Sequence, residues 1–525
     1  MKTIIYLTRP LVLTVLALAS FMTSSLAQEV FIPDPGLNAA IREALEKPFG
    51  PLNEQDLLSL TVLNASRRNV RSIAGLEPAR NLVSLDLQIN RLSNFSLPSG
   101  LTKLAFLDVS INPLTNFSLP IGLTNLTRLI VESAGLTNLT LPAGLTALND
   151  LALDGNQFTS FDPLSNLTSL VSLDLGFNLF TNFSLPNGLT NLATLKIAAS
   201  FLTNITLPAD LTRLTNLHLT QNQLTSFALP AGMTNLLKLN LFFNQLTNLA
   251  LPADVRNLTE LNLDFNQFTS LNLPTNLTGL SILHLRANQL TDFTVPAELT
   301  ALSFLDVSQN QLSHITLPSS LNRLAILGLS GNRFTSFTLP AGLTNLTGLI
   351  LGGNQLTNVV LPPDLGKLVS LDLSGNQLTS FTVPAGLTNL FGLFVTGNQL
   401  TTLTLPPDMT KLGALGFLGN PLATLVLSEP LAATSLAQVL MFVRSQGVSV
   451  FTYPLAVQLV RPLALVGAFK FGITGPPGVY AVLGSTNLAA WSVFGSATNP
   501  LGSINFTDVT ANSSPQKFYR ARFVP

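Results

Sequence analysis

Residues 324–345 read LAILGLSGNRFTSFTLPAGLTN, and residues 346–367 read LTGLILGGNQLTNVVLPPDLGK. Both strings follow one 22-residue unit, L-x-x-L-x-L-x-x-N-Q-L-T-x-F-x-L-P-A-G-L-T-N. The asparagine of the unit recurs without an insertion or deletion at positions 90, 112, 156, 178, 222, 244, 266, 288, 310, 332, 354, 376, 398 and 420. Two steps of the same ladder carry Ala134 and Ser200 instead. Self-similarity at a fixed period of this length predicts a solenoid of stacked units.

Each unit predicts one short strand. Apolar and polar residues alternate in Leu283-His284-Leu285-Arg286, which is the period of a strand with one buried face. No single unit can bury its leucines alone, so stacking must supply the core. The asparagine after each strand is expected inside the turn, where its amide satisfies backbone groups that would otherwise be buried without partners.

The second half of the unit predicts a short extended segment on the opposite side of the solenoid. Five residues after the asparagine, many units carry a phenylalanine, as at Phe95, Phe183 and Phe337. A leucine or valine follows two residues later, and then a proline, which limits lateral pairing of strands. The phenylalanine column is therefore expected to be a buried spine.

This unit resembles the leucine-rich repeat family, in particular its internalin-like and SDS22-like subclasses with 22-residue repeats. The resemblance implies a mainly β solenoid, shaped as a horseshoe with a parallel sheet on its concave side. The L-P-A-G-L-T-N segment departs from those subclasses, and only Phe161-Asp162-Pro163-Leu164 matches the usual SDS22 form.

The start of the chain predicts a targeting segment and a cap. Residues 1–27 are typical of a secretory signal peptide, because the basic residues Lys2 and Arg9 precede a short apolar run. Cleavage is expected after Ala27. That run is shorter than the roughly 20 residues that span a bilayer, and no later stretch predicts a transmembrane segment. Residues 28–59 are expected to form a helical N-terminal cap similar to that of bacterial leucine-rich repeat proteins. About 17 repeat units then occupy residues 60–428.

Two further segments follow the repeats. Residues 429–453 are expected to form a C-terminal cap, with an amphipathic helix over 431–445 and a closing strand over 448–453. Residues 454–525 predict a small β-sandwich of short strands separated by turn signals. Segments such as Phe518-Tyr519-Arg520-Ala521 resemble a C-terminal module of secreted proteins from Verrucomicrobia-like bacteria. That resemblance implies no known chemistry, and both a spacer and a carbohydrate-binding or surface-attachment module remain open.

The composition argues against several classes of function. Charges are sparse and balanced, with 26 basic and 26 acidic residues among 525, whereas nucleic-acid binding requires basic surface. The absence of cysteine excludes disulfides, thiolate metal sites and cysteine nucleophiles, and such an exported chain is more typical of bacteria. His218 and His284 lie three repeats apart, too far to share a metal at strand spacing. We therefore predict no catalytic, cofactor-binding or metal-binding residues, and no enzyme activity.

The outward positions of the predicted sheet vary along the chain. The first third is acidic, with Asp86 beside Asp108 as a weak candidate for a calcium site. The last third is bland, in the sense that it carries mainly small, uncharged residues. The middle combines charged and aromatic residues, the usual composition of binding hot spots. The predicted partner-binding residues are Lys196, His218, Lys238, Asn240, Phe242, Phe243, Glu260, Asp264, Phe265, His284 and Arg286. Neutral drift of the sequence within the repeat array is the competing explanation for the charged and aromatic residues at these outward positions.

These observations favour a non-catalytic exported recognition protein, secreted or held at the cell surface, that binds another protein through the concave face. The alternative is a carbohydrate-binding or adhesive surface protein that uses the C-terminal module on a glycan or the cell envelope. A spacer without a discrete partner is a third hypothesis.

Overall fold

The computed structural model describes residues 28–433, 436–513 and 516–524, so the predicted signal peptide lies outside the described residues. The chain divides into two compact units, Met1–Gln223 and Leu224–Pro525. Both units contain the same element, a 22-residue turn with one three-residue strand in a parallel main sheet. The predicted mainly β solenoid with a parallel sheet is confirmed in each unit.

The main-sheet strands pair in register one turn apart. Leu85 faces Leu107 in the first unit and Leu305 faces Leu327 in the second, and all four side chains are buried. The first unit contains the main-sheet strands Val62–Asn64, Ser84–Asp86, Phe106–Asp108, Arg128–Ile130, Asp150–Ala152, Ser172–Asp174, Thr194–Lys196 and Asn216–His218. The second unit contains Lys238–Asn240, Glu260–Asn262, Ile282–His284, Phe304–Asp306, Ile326–Gly328, Gly348–Ile350, Ser370–Asp372, Gly392–Phe394 and Ala414–Gly416.

Short back strands lie in the second half of many turns, as the Phe-x-Leu-Pro pattern predicts. They pair mostly in twos, for example Asn94–Ser96 with Asn116–Ser118, which agrees with a limit on pairing by the following proline. Phe95 and Phe183 are buried, which confirms the apolar spine. The other back strands are Asn182–Ser184, Asn204–Thr206, Phe227–Ala228, Leu249–Ala250, Asp292–Thr294, His314–Thr316, Ser336–Thr338, Asn358–Val360, Thr402–Thr404 and Thr424–Ser428. One turn forms the 3-10 helix Pro163–Asn166 instead.

Two helices precede the first turn. Asp34 caps the helix Pro35–Ala44, where its Oδ1 accepts from the backbone N–H of Leu37 at 3.0 Å. Its Oδ2 accepts from the backbone N–H of Arg71 at 2.7 Å, which fastens the helix to the first turn. A second helix, Glu54–Ser59, begins at a capping box formed by Asn53 and Asp56.

The helix predicted over 431–445 consists of two helices in the structure. These are Glu429–Ala433 and Ala437–Ser445, and the strand Ser449–Tyr453 follows them. This strand pairs in parallel with Thr424–Ser428 and so extends a back sheet. None of the described helices has the length and apolar character needed to cross a membrane.

The C-terminal module confirms the predicted β-sandwich. One antiparallel sheet contains Gln458–Leu465, Ala468–Thr474 and Ser503–Asp508, and the other contains Ser492–Asn499, Gly478–Ser485 and Phe518–Val524. Phe471 and Ile473 of the first sheet pack in one buried core with Tyr480 and Val482 of the second. The strand Gln458–Leu465 is not among the predicted strands, and it contains Pro462, a residue type that is uncommon inside strands. It lies at a sheet edge, with an irregularity between Val460 and Leu463 that accommodates the proline.

Candidate binding face of the main sheet

We call the surface formed by the outward side chains of the main-sheet strands and of the turn that follows each strand the sheet face. It is the surface that the sequence analysis assigns as concave. Most of the predicted partner-binding residues lie on the sheet face of the second unit, whereas Lys196 and His218 lie on that of the first. Lys196 faces His218 in register and forms an ion pair with Asp174 at 3.3 Å.

The third strand position has a structural role that sequence reasoning missed. Asn240 uses its Oδ1 to accept a hydrogen bond from the backbone N–H of Phe242 at 3.1 Å. Asn262 and Asp306 accept in the same way from the N–H two residues later. These side chains fix the turn after the strand, as Asn and Asp commonly do. Asn240 was predicted as a binding residue, and its observed contact is this turn bond.

Charged residues of the second unit are paired across neighbouring strands. Lys238 faces Glu260 in register, and their charged atoms lie 2.9 Å apart. An ion pair at a partly exposed position contributes little to stability, at most about 1 kcal/mol. The pair therefore leaves this part of the sheet face close to neutral.

Three phenylalanines form an aromatic cluster beside this ion pair. The ring centroids of Phe242 and Phe265 lie 5.4 Å apart, and those of Phe243 and Phe265 lie 6.1 Å apart. Phe243 is 54% exposed and Phe265 is 38% exposed. The structure thus brings together three predicted residues into one exposed apolar surface, which we call the aromatic cluster.

Asp264, His284 and Arg286 form a group on the other side of the cluster. Asp264 Oδ2 lies 3.6 Å from His284 Nδ1, and its Oδ1 accepts from the backbone N–H of Arg286. The pKa of Asp264 is raised to about 7, mainly by burial and in part by the charge of Asp306, although the hydrogen bond from the backbone N–H of Arg286 lowers it. Burial also lowers the pKa of His284, against the charges of Asp306 and Glu260. Both shifts favour the uncharged forms, so the charge attraction between Asp264 and His284 is weaker than their distance alone suggests.

The residue immediately before each ladder asparagine has a left-handed backbone. In the first unit φ is positive at Ile89, Ile111, Ser133, Gly155, Phe177, Ala199 and Gln221. In the second unit it is positive at Phe243, Phe265, Ala287, Gln309, Gly331, Gly353, Gly375, Gly397 and Gly419. The backbone N–H of Phe243 donates to Asp264 O at 2.9 Å, and that of Gly353 donates to Ser374 O at 2.7 Å. The stacking of turns therefore imposes this conformation whatever the side chain.

We call these positions the left-handed column. Glycine adopts positive φ without steric cost, whereas large or β-branched residues are outliers there. Ile111 and Phe177 in the first unit are nevertheless large and exposed, as are Phe243 and Phe265 in the second. Sequence reasoning missed Ile111 and Phe177. The signal was available, because later repeats place glycine at the same position, as in Gly352-Gly353-Asn354.

The acidic part of the first unit lies where the sequence predicts it. Asp86 faces Asp108 in register on neighbouring strands. The pKa of Glu132 is raised to about 7, mainly by burial and in part by the charges of Asp154 and Asp108. Within the described residues, no group of three His, Asp or Glu side chains is arranged to hold a metal ion.

Parallel strands stacked at 22-residue intervals, most of them followed by a buried asparagine, define a leucine-rich repeat protein. The chain belongs to the BspA type leucine-rich repeat family, whose model matches it in six copies within residues 88–195, 175–262, 197–306 and 329–434, together more than half of the chain. This confirms the resemblance to leucine-rich repeats. The resemblance of the C-terminal module to modules of Verrucomicrobia-like bacteria stays a prediction.

Two of the solved structures with the same fold come from bacterial proteins. The functional domain of InlJ from Listeria monocytogenes is 20% identical, with 89% of this chain and 96% of that chain covered and a TM-score of 0.51. YopM from Yersinia enterocolitica is 23% identical, with 84% and 99% covered and a TM-score of 0.51. At such identities the likeness shows the fold alone. A search of curated proteins finds no significant match.

Leucine-rich repeat proteins of this bacterial type commonly mediate protein–protein interaction and are typically non-enzymatic. They are often secreted or located at the cell surface.

Proposed function

We propose that this protein is a non-catalytic exported recognition protein that binds another protein through the sheet face. Export rests on the sequence of residues 1–27 and on the usual location of the family. The released and surface-retained forms are both compatible with this proposal. The observation that carries the binding function is the presence of large apolar side chains in the left-handed column.

Folding does not account for these side chains. A non-glycine residue in the left-handed conformation costs on the order of 1–2 kcal/mol relative to its preferred backbone. Phe243 and Phe265 also leave much of their apolar surface in water, so burial does not offset this cost. Glycine occupies the same column in five later turns, at Gly331, Gly353, Gly375, Gly397 and Gly419.

Binding provides a reason to keep them. Exposed aromatic residues beside arginine are typical of interface hot spots, and strained backbone is concentrated at functional sites. The aromatic cluster lies next to Arg286 and to the neutral Lys238–Glu260 pair. Removal of a partner-facing phenylalanine from such a cluster typically weakens binding by about 2 kcal/mol or more.

The test uses the mature chain and a Phe243→Gly, Phe265→Gly variant. Both are immobilised and exposed to envelope and culture fractions, and captured proteins are identified and their affinities measured. The matched control is Ala199→Gly, Ala287→Gly, which changes two positions of the same left-handed column that carry no aromatic ring. Circular dichroism and chemical denaturation report folding.

We expect a partner that the wild-type chain and the control variant retain and the phenylalanine variant loses. Because glycine suits this backbone, the loss would not come from misfolding. Equal capture by all three chains would contradict binding through the aromatic cluster. Absence of any partner would favour the spacer hypothesis.

A second candidate function is attachment to a glycan or the cell envelope through the C-terminal module. A pocket of about 330 Å³ lies in this module, lined by Trp491 and Phe494 together with polar side chains such as Ser485 and Lys517. Aromatic faces with adjacent hydroxyl groups suit a sugar ring, and the volume is at the lower end of that of small-ligand sites. A Trp491→Ala variant of the full chain would lose adhesion to envelope preparations under this hypothesis. Unchanged adhesion would reject it.

A further inference from the structure

A single glycine on the sheet face of the second unit leaves a slot between its neighbouring side chains. Asp306, Gly328 and Ile350 face one another in register on three successive strands. Neighbouring strands are about 4.8 Å apart, so a glycine between two side chains leaves a gap one side chain wide. The gap is a pocket of about 190 Å³.

The walls of the slot are apolar on one side and polar on the other. Phe304, Ile326 and Ile350 line it with apolar surface, and Ser308 and Ser330 contribute hydroxyl groups. Sites for small ligands usually measure about 300–1,000 Å³, so this slot is too small for a typical cofactor. Its size suits one side chain of a binding partner.

A carboxylate lies at the floor of the slot. A Cβ atom at Gly328 would lie 2.6 Å from Asp306 Oδ1, so any larger residue there would displace the carboxylate. Asp306 Oδ1 accepts from the backbone N–H of Ser308 at 2.9 Å. Among the described residues, no Lys, Arg or His forms an ion pair with Asp306. Glycine thus keeps this acid open to the slot, and the basic residue that faces it in register on the preceding strand is His284, whose pKa is lowered by burial.

The other charged residue of the slot lies further from its floor. Arg286 belongs to the turn before Asp306, two turns from Gly328, and its Nε donates to Gln309 Oε1 at 3.1 Å. The floor of the slot is therefore acidic. A side chain with an apolar stem and a cationic end complements apolar walls that lead to a carboxylate.

We infer that the slot at Gly328 receives one lysine or arginine side chain of the protein partner, with its stem against Ile326 and Ile350 and its cation on Asp306. This inference rests on the proposed function, because it names a subsite of the same sheet face. It also extends the binding surface beyond residue 286, into turns that sequence analysis describes as bland.

The test starts with peptides selected from a random phage-displayed library on the full mature chain. For each selected peptide, every basic residue is replaced in turn by norleucine, which keeps an apolar stem and removes the charge. Affinities are measured for the wild-type chain and for Asp306→Asn, which keeps the oxygen that accepts from Ser308. The matched control is Asp372→Asn, since Asp372 occupies the same column and accepts from Ser374 N–H at 2.9 Å.

One lysine or arginine is expected to be coupled to Asp306. Its replacement should weaken binding to the wild-type chain about tenfold or more and binding to Asp306→Asn by less than about twofold. Asp372→Asn should behave as the wild-type chain does. Peptides without a basic residue, or norleucine effects that are equal in wild-type and Asp306→Asn chains, would overturn the slot assignment.

The phenylalanine variant separates this inference from the function on which it rests. Binding that is lost with Phe243→Gly, Phe265→Gly but unaffected by Asp306→Asn would overturn the slot and leave recognition by the sheet face in place. Binding that is insensitive to both variants would overturn both proposals. Recovery of no binding peptide by the folded chain would count against both in the same way.

Discussion

Replacement of Asn376 by alanine tests the asparagine ladder on which the fold depends. The Asn376 side chain is buried, with 7% exposure. Its Nδ2 donates to the carbonyls of Leu351 at 3.1 Å, Leu373 at 2.9 Å and Ser374 at 3.2 Å. Its Oδ1 accepts from the backbone N–H of Leu356 at 3.0 Å. The amide therefore connects its own turn to the one before it.

The expected loss follows from which partners remain. Leu351 O still accepts from Asn354, Leu373 O from Asn398, and Ser374 O from the backbone of Gly353. Only the N–H of Leu356 loses its acceptor. A buried donor without a partner costs about 1–3 kcal/mol, and the weakened carbonyls add a smaller amount. We therefore expect Asn376→Ala to lower the free energy of unfolding by about 2–3 kcal/mol.

The natural exception at Ala134 shows how part of this cost is relieved. There the N–H of Leu114 donates to the backbone carbonyls of Asn112 at 2.8 Å and Ala134 at 3.0 Å. If the turn at residue 376 adjusts in the same way, the loss falls towards the lower end of the range. In Asn376→Asp this adjustment does not relieve the cost, because the carboxylate oxygen that replaces Nδ2 faces three backbone carbonyl oxygens. Asn376→Asp should be more destabilising than alanine at pH 7 and recover as acid protonates the carboxyl.

Urea denaturation of wild type, both variants and Asn322→Ala measures these differences. Asn322 is exposed, so its replacement is expected to change stability by less than about 0.5 kcal/mol. Hydrogen exchange at the Leu356 amide reports the local effect, since repeat proteins also open in parts. Equal stability of Asn376→Ala and Asn322→Ala, with unchanged protection at Leu356, would refute the reasoning.

Replacing Phe243 and Phe265 by glycine should raise the free energy of unfolding by about 1 kcal/mol per site, because glycine relieves the left-handed strain; denaturation that shows lower stability would contradict it. The raised pKa of Asp264 means that its favourable contribution is complete below the unfolded value near 4 and is lost as pH rises through about 7. Asp264→Asn should therefore flatten the change of stability with pH between these values, and an unchanged profile would exclude the shift. Lys517→Met should destabilise the C-terminal module by about 3–5 kcal/mol, because it leaves the buried Asp508 carboxylate without its cation. The fluorescence of Trp491, the only tryptophan of the sequence, reports the unfolding of this module. An unchanged unfolding transition would contradict the prediction.

The fold could be predicted from the sequence because each part of the 22-residue repeat is compatible with only one local structure. Alternation in Leu283-His284-Leu285-Arg286 leaves only one face to bury, and the invariant spacing of the asparagines sets the register. The strand Gln458–Leu465 was missed for a local reason, since Pro462 is tolerated only at an edge or irregularity that tertiary structure creates. The repeats therefore predict each strand of the solenoid, whereas individual strands of the nonrepeating module are harder to predict.

The candidate site was less predictable, because outward positions carry no periodic constraint. Sequence correctly grouped Phe242, Phe243 and Phe265, since they occupy neighbouring outward or turn positions. It assigned Asn240 to binding without recognising the turn bond to residue 242. It also could not reveal the slot, because the significance of Gly328 depends on the position of the Asp306 carboxylate on the next strand.

The left-handed column is the place where the requirements of folding and those of the proposed binding function differ. Stacking of turns determines the backbone there, because most N–H groups of the column donate to a carbonyl of the next turn. A sequence selected for stability alone would place glycine throughout the column, as the turns from Gly331 to Gly419 do. Drift that is neutral for folding would favour small or flexible residues over phenylalanine at positive φ. The phenylalanines at 243 and 265 depart from this optimum in neighbouring turns, where their rings meet, which favours selection for a common partner over drift.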